Sequence, residues 1–140
     1  MSKPPPLLLD THAAVWIVED QPIAAAATTA VDAAHQAGSI VFVSAISAWE
    51  IGLLVSRNRL SLVARPERWF QRLLAIPGVH LADLSPDILI ASSFLPGAPP
   101  RDPADRIILA TARELGATLI TRDRLLLEYG NAGQVSTIAC

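Results

Sequence analysis

LLLDTHAAVW, residues Leu7 to Trp16, opens on three leucines, turns polar at Asp10 and continues with a helical spacing of apolar residues. Consecutive bulky apolar residues suit a short strand covered on both faces, as in a parallel sheet. From Thr11 to Glu19, Ala13, Trp16 and Ile17 recur at three- and four-residue intervals, the period of a helix with one inward side. A buried strand that runs directly into a helix is the repeating step of an α/β sheet, and a carboxylate, Asp10, stands at the joint.

The same step recurs along the chain. Pro22 is expected to open a second helix, rich in Ala, that ends near Gly38. Ile40 to Val43 is β-branched and aromatic, hence a strand. Ala45 to Arg57 reads as a helix whose apolar stripe is Ile46, Trp49 and Leu53. Arg65 to Ile76 reads as another, stopped by Pro77-Gly78, and Val79 to Leu84 alternates like a strand. Pro86 to Leu95 is expected to be helical, and Pro96 to Pro103 a rigid loop. Pro103 to Leu115 is the clearest helix, capped by Asp102 and ended by Gly116. Thr118 to Thr121 is expected as a strand, Arg124 to Tyr129 as a short helix and Val135 to Ala139 as a last strand. With 140 residues, no internal repeat and no long linker, the chain is expected to form one domain over residues 1–140. Strands alternating with helices predict a three-layer α/β/α sandwich around a central, mostly parallel sheet.

Four acids stand at or just beyond apolar runs: Asp10 after LLL, Glu50 in the helix after the second strand, Asp105 in PADRIILATA, and Asp123 after TLITR. Parallel strands end on one edge, where α/β sheets bind their ligands, so such points are expected to converge. Three of the acids have a structural explanation. Asp10 and Asp123 precede helices, as does Asp102, and Asp is a favoured N-cap. Asp105, in a first turn, complements the helix dipole. Glu50 has no such explanation, since it lies beside an apolar stripe where a carboxylate is costly unless something charged or hydrogen-bonding meets it. Several carboxylates within a few ångströms do not all stay ionised without a cation. Oxygen ligands select Mg²⁺ or Mn²⁺, and such ions activate water and steady a leaving oxygen, which makes metal-dependent phosphodiester cleavage the natural chemistry. Thr11 and Thr121 flank the expected site and are placed to hydrogen-bond its carboxylates or water.

Composition narrows the field. The chain is 51% hydrophobic with a mean hydropathy of +0.40, yet no apolar run approaches the ~20 residues that span a bilayer. A buried α/β core and an apolar surface kept for a partner chain account for the excess. MSKPPPLLLD has an apolar run too short for a signal peptide, and a cytoplasmic protein is expected. One cysteine, Cys140, excludes a disulfide framework and a Cys-based zinc site. The net charge of −2 excludes a general nucleic-acid binder. Ten of the eleven basic residues are Arg, however, and the Arg fork pairs bidentately with phosphate. Arg57, Arg101, Arg106 and Arg122 are the candidate phosphate contacts, set against their plainer reading as solvated charges. His12, His35 and His80 lack metal-ligand spacing, and His12 beside Asp10 reads as a packing or surface residue. Ser44 and Ser47 lack a His and Asp pairing for nucleophilic catalysis. Neither the Rossmann nor the P-loop glycine pattern is present.

LLLDTHAAVW, VSAISAWEIG (Val43 to Gly52), RDPADRIILATA (Arg101 to Ala112) and LITRD (Leu119 to Asp123) together resemble the PIN-domain family, and within it the VapC-type toxins of type II toxin–antitoxin systems. Order, spacing and flanking apolar residues agree over nearly the whole chain. Each motif alone is weak, and the combination is specific. The resemblance implies an α/β/α sandwich and a Mg²⁺- or Mn²⁺-dependent endoribonuclease. It maps the catalytic, metal-binding acids onto Asp10, Glu50, Asp105 and Asp123. RDPADR offers two acids; the register against IILATA selects Asp105 and leaves Asp102 as a cap or outer contributor. Ala104 stands where related toxins often carry a bulky aromatic residue, and VSTIAC matches the family's last strand only loosely. The resemblance further implies a homodimer and a cognate antitoxin whose C-terminal segment covers the site.

Two other readings compete. A phosphotransfer or phosphohydrolase domain of receiver or haloacid-dehalogenase type would need a Lys near its acids, and Lys3 is the only one. A non-catalytic PIN-like module that docks RNA would be expected to have lost some of the four acids.

Overall fold

A computed structural model describes residues 4–140; Lys3 lies outside the described residues. Five strands occur among them: β1 (Leu7–Leu9), β2 (Val41–Ser44), β3 (Val79–Ala82), β4 (Thr118–Thr121) and β5 (Thr137–Ala139). The helices are α1 (Thr11–Val18), α2 (Ala25–Ala37), α3 (Ala45–Ser56), α4 (Pro66–Ala75), α5 (Pro86–Ala91), α6 (Pro103–Leu115) and α7 (Arg124–Asn131). All pairings are parallel and the sheet order is β3-β2-β1-β4-β5.

Alternation along β1 explains both cores. Leu7 and Leu9 join Val41, Val43 and Ile120 on one face, under Ala13 and Ala14 of α1, Ala27 and Ala34 of α2, and Trp69 and Leu73 of α4. Leu8 turns to the other face with Leu119, under Ile108, Leu109 and Ala112 of α6 and Leu126 and Tyr129 of α7. Three strictly buried leucines in a row are therefore a strand covered on both sides, and the result is the three-layer sandwich. No helix among the described residues is long and apolar enough to cross a membrane.

Several local expectations change. The second helix begins at Ala25, three residues past Pro22, with Ala24 as its N-cap. α3 turns the other way from the Ile46–Trp49–Leu53 stripe: Ser47 and Ile51 are its buried residues, and Trp49 is 57% exposed. Ranking side chains by hydrophobicity put the bulky Trp inside, whereas the close approach of α1 to α3 favours the small Ser47. The third strand stops at Ala82 and is an edge strand with His80 and Leu81 outward, so its alternation is a partly solvated pattern. α7 continues to Asn131, and β5 starts only at Thr137. The ends of α2 and α6 fall at Gly38 and Gly116, whose φ values of 68° and 61° suit a residue without a Cβ.

Topology locates the site. β1 feeds α1 and then β2 on one side, whereas β4 feeds α7 and then β5 on the other. The chain therefore leaves β1 and β4 in opposite directions, which opens a crevice at their carboxyl ends. Asp10 directly follows β1, and Asp123 lies two residues past β4.

Candidate active site

Asp10 is buried at 9% exposure, at the N-terminus of α1. One carboxylate oxygen accepts from the Thr11 backbone N–H at 2.8 Å, and the other accepts from the Thr121 hydroxyl at 2.8 Å. Thr121 in turn accepts from the Asp123 backbone N–H at 3.0 Å. Because a hydroxyl has one proton, these contacts run in a single sense, from the Asp123 amide through Thr121 to Asp10. This ties the loop after β4 to the end of β1.

Glu50 is held by a second relay. The Thr11 hydroxyl donates to Glu50 Oε1 at 2.7 Å and lies 2.8 Å from the Ser47 hydroxyl. Thr11 has spent its proton on Glu50, so Ser47 is the donor to Thr11. The relay supplies what the sequence demanded, a hydrogen-bonding partner for an acid on an inward helix face. Ser47 was set aside as a nucleophile, and its structural part went unforeseen. Its signal lies in spacing, since Ser47 is three residues before Glu50 and shares its side of the helix.

The remaining acids stand at helix starts. Asp102 caps α6 by accepting from the Asp105 backbone N–H at 3.1 Å. Asp123 caps α7 by accepting from the Leu126 N–H at 3.1 Å. Asp105 is in the first turn of α6, half-buried, with its side chain engaged in neither cap.

The acids repel one another strongly. Burial raises the carboxyl of Asp105, and the charges of Asp102, Asp10, Asp123 and Glu50 push it further, up to about 7. Burial also raises Glu50 against the Thr11 hydrogen bond, with Asp10 and Asp102 adding to the rise. Asp10 is raised by burial in spite of its hydrogen bonds from Thr121 and Thr11, with Asp123 adding to the rise. Asp105 is thus the point at which all the other acids are felt. The ion pairs among the described residues, Arg65–Glu67 and Arg124–Glu128, lie elsewhere. Among those residues no three acids, histidines or cysteines close into a preformed cage. An open, all-oxygen donor set with uncompensated charge fits a hard divalent ion that keeps several of its waters.

The arginines are placed less uniformly. Arg106 donates to the Pro100 carbonyl at 2.8 Å and to the Ser92 carbonyl at 3.4 Å, which ties it to the loop before α6. Arg122 lies 3.8 Å from the centre of the Trp16 ring and donates to the Cys140 carbonyl at 2.9 Å. Arg101 is exposed one residue before the Asp102 cap. Arg57 caps the far end of α3, seven residues and about 10 Å along the axis beyond Glu50. The fold gathers the acids and the two threonines, and leaves Arg57 apart from them.

A parallel α/β sheet with a carboxylate cluster in its central crevice is the class that fold and site define. The chain belongs to the PIN domain family, whose sequence profile matches residues 7–131. It is 36% identical to Ribonuclease VapC22 of Mycobacterium tuberculosis over 124 residues, which cover 88% of this chain and 91% of that protein. Its fold is similar to that of VapBC2 from Rickettsia felis, solved bound to a promoter DNA fragment, with a TM-score of 0.68 and 14% identity over 96% of this chain and 98% of that one. FitAcB from Neisseria gonorrhoeae is also similar, with a TM-score of 0.62 and 20% identity over 94% and 96% of the two chains.

Proposed function

We propose that this PIN-domain chain is the toxin of a VapC-type toxin–antitoxin pair, an endoribonuclease that hydrolyses RNA phosphodiester bonds at the Asp10, Glu50, Asp105 and Asp123 cluster. Its similarity to a ribonuclease over most of both chains supports the activity. The observation that carries the metal-site reading is Asp105, raised to about 7 by burial and by four neighbouring acids. Carboxylates that feel one another's charge, with no ion-paired base beside them among the described residues, take up either a proton or a cation, and a divalent cation relieves the repulsion at neutral pH.

The cation is Mg²⁺ or Mn²⁺, held by Asp10, Asp105 and Asp123 with Glu50 alongside. When bound, it supplies an activated water and stabilises the charge that develops on the phosphate. The protein's own part is to orient the ligands. Thr121 fixes Asp10, and Thr11 fixes Glu50, through hydrogen bonds already made in the fold. Asp102 organises the first turn of α6 and adds negative potential at the rim of the site. Arg101 is the arginine placed to meet an RNA phosphate beside it.

The partners follow from the same reading: single-stranded or looped RNA as substrate, a cognate antitoxin over the site, and a homodimer in the cytoplasm. Exposed apolar side chains, including Trp49, Ile90 and Phe94, support protein contacts. Purified chain, freed of any partner, should cleave RNA with Mg²⁺ or Mn²⁺ and stop in EDTA. Full activity in excess chelator, or undiminished cleavage by Asp10→Asn, would overturn the metal mechanism. RNA binding without cleavage would return the chain to the non-catalytic reading. Growth arrest on induction, relieved by co-expressing the neighbouring small reading frame, tests the toxin role.

A further inference from the structure

Next to the acids lies a cluster of flat side chains that the metal chemistry does not use. Trp16, on the second turn of α1, is half-buried against the core. The Arg122 guanidinium packs on its ring at 3.8 Å and is anchored at the other end by the Cys140 carbonyl. The His12 ring meets Trp16 with centroids 5.8 Å apart and planes tilted by 39°. His12 and Arg122 are nevertheless exposed. His12 is two residues from Asp10, and Arg122 lies between Thr121 and Asp123. The group therefore borders the crevice between β1 and β4.

The guanidinium is held in place between a ring and a carbonyl. Its rotamer freedom is already restricted by the ring and the carbonyl, and its backbone lies between Thr121 and Asp123 of the site. An imidazole fixed against the same indole adds a second flat surface. Nucleobases stack on such planes with little regard to sequence, and pre-ordering the platform reduces the entropy lost on binding.

We infer that His12, Trp16 and Arg122 form a stacking shelf that seats the base of a nucleotide flanking the scissile phosphate. The inference rests on the ribonuclease reading and deepens it by naming how single-stranded RNA is positioned. It also gives Arg122 a different task from a phosphate contact: it meets the base with its plane, and its charge strengthens the stack. Unpaired bases can reach such a shelf, whereas bases inside a duplex are shielded by their neighbours.

The test uses short single-stranded oligoribonucleotides in which the wild-type cleavage bond has been mapped. In copies of one cleaved oligomer, a base-free ribose replaces each of the nucleotides flanking that bond in turn. At one position, base removal should raise KM roughly 5- to 150-fold with wild-type protein, the range expected for one stacked base, while kcat changes little. The His12→Ala/Arg122→Ala double variant should show a comparable rise on the intact oligomer. It should show no further rise on the base-free one, because the two losses are the same interaction. Arg122→Lys should fail to rescue, since it keeps the charge and loses the plane. His12→Ala alone, at an exposed position, gives the same non-additivity on a smaller scale should the double variant fold poorly.

Additive losses, or a KM insensitive to base removal at every flanking position, overturn the shelf while leaving the nuclease intact. A purely structural Arg122 would lower thermal stability and give the same cleavage ratio for intact and base-free RNA. Failure of the wild type to cleave any oligomer with either metal sinks the nuclease reading and the shelf together.

Discussion

Asp10 and Glu50 are tied down by buried threonines, whereas Asp102, Asp105 and Asp123 stand on helix starts across the crevice. The first two are fixed by the fold itself, since the Thr11 and Thr121 hydroxyls are fully enclosed and point their protons at the carboxylates. The others lean on backbone amides at the N-termini of α6 and α7, and Asp105 has no side-chain hydrogen bond among the described residues. One side is thus a preset anchor. The other side carries most of the electrostatic strain, at Asp105, and on the proposed function it is the side expected to adjust when a cation binds. The difference follows from burial: Thr11, Thr121 and the α1 cap Asp10 lie inside the fold, whereas the caps Asp102 and Asp123 are exposed.

The sharpest way to break the comparison is to remove charge from each side. Asp10→Asn and Asp105→Asn should each reduce kcat on the order of 10²–10³-fold, the scale of losing one preorganised electrostatic group. Their stabilities should part company. Asp105→Asn relieves repulsion from four acids and should raise the thermal midpoint measured in EDTA. Asp10→Asn should not, because an amide in place of the carboxylate presents an N–H₂ to one of two donors, the Thr11 N–H or the Thr121 hydroxyl. Equal midpoints for the two variants would erase the distinction between anchor and adjustable side.

The anchor can be loosened without touching a carboxylate. Thr121→Val keeps the shape but leaves a buried Asp10 oxygen without its donor, at a cost of about 1–3 kcal/mol. The metal dependence of cleavage should move by roughly 10- to 100-fold to higher Mg²⁺, as for other groups that orient a ligand. A titration of activity against Mg²⁺ reads this directly. An unchanged midpoint in that titration would mean that Thr121 serves the strand and not the site.

Much of this was legible in the sequence because burial and connectivity write themselves into it. LLLD read as a strand ending in a carboxylate, and the alternation of strands with helices required a parallel sheet. That sheet brought Asp10 and Asp123 to one edge. The caps at Asp102 and Asp123 were also readable, since Asp before a helix has a local cause. Glu50 was singled out by its lack of such a cause, and Thr11, which bonds it, was already named as a residue that could hydrogen-bond the carboxylates; Ser47 behind Thr11 was hidden. The contact between Thr11 and Ser47 joins residues far apart in the chain, and hydrophobicity pointed to Trp49 rather than Ser47 as the inward residue of α3. The stacking of Arg122 on Trp16 was invisible for the same reason, because it depends on how α1 meets the end of β4.

If the proposed cation sits at Asp105, protons compete with it there, and the sign of that competition is fixed. Its folded carboxyl is raised to about 7 from an ordinary 3.8, so between these values the folded chain holds a proton that the unfolded chain has released. Stability in EDTA should therefore fall as pH rises from about 4 to about 7 on this group's account. Saturating Mg²⁺ should reverse the loss, raising the melting temperature more at about pH 8 than at about pH 5. A metal-induced shift independent of pH would place the cation away from Asp105.

The smallest effect is expected from the loop that carries the adjustable side. Arg106 and the Tyr129 hydroxyl both bond to backbone carbonyls of the Pro96–Pro100 segment, which leads into Asp102 and Asp105. Tyr129→Phe removes one such tie from a side chain that is otherwise enclosed, and should cost about 1 kcal/mol, or about 3 °C in melting temperature. If the helix-start acids settle around the cation as it binds, the Mg²⁺ midpoint should shift by no more than about 2-fold, far less than for Thr121→Val. A shift as large as that of Thr121→Val would show that the loop is as rigidly preset as the strand ends. The contrast between the two sides would then belong to burial alone, with no difference in their freedom to move.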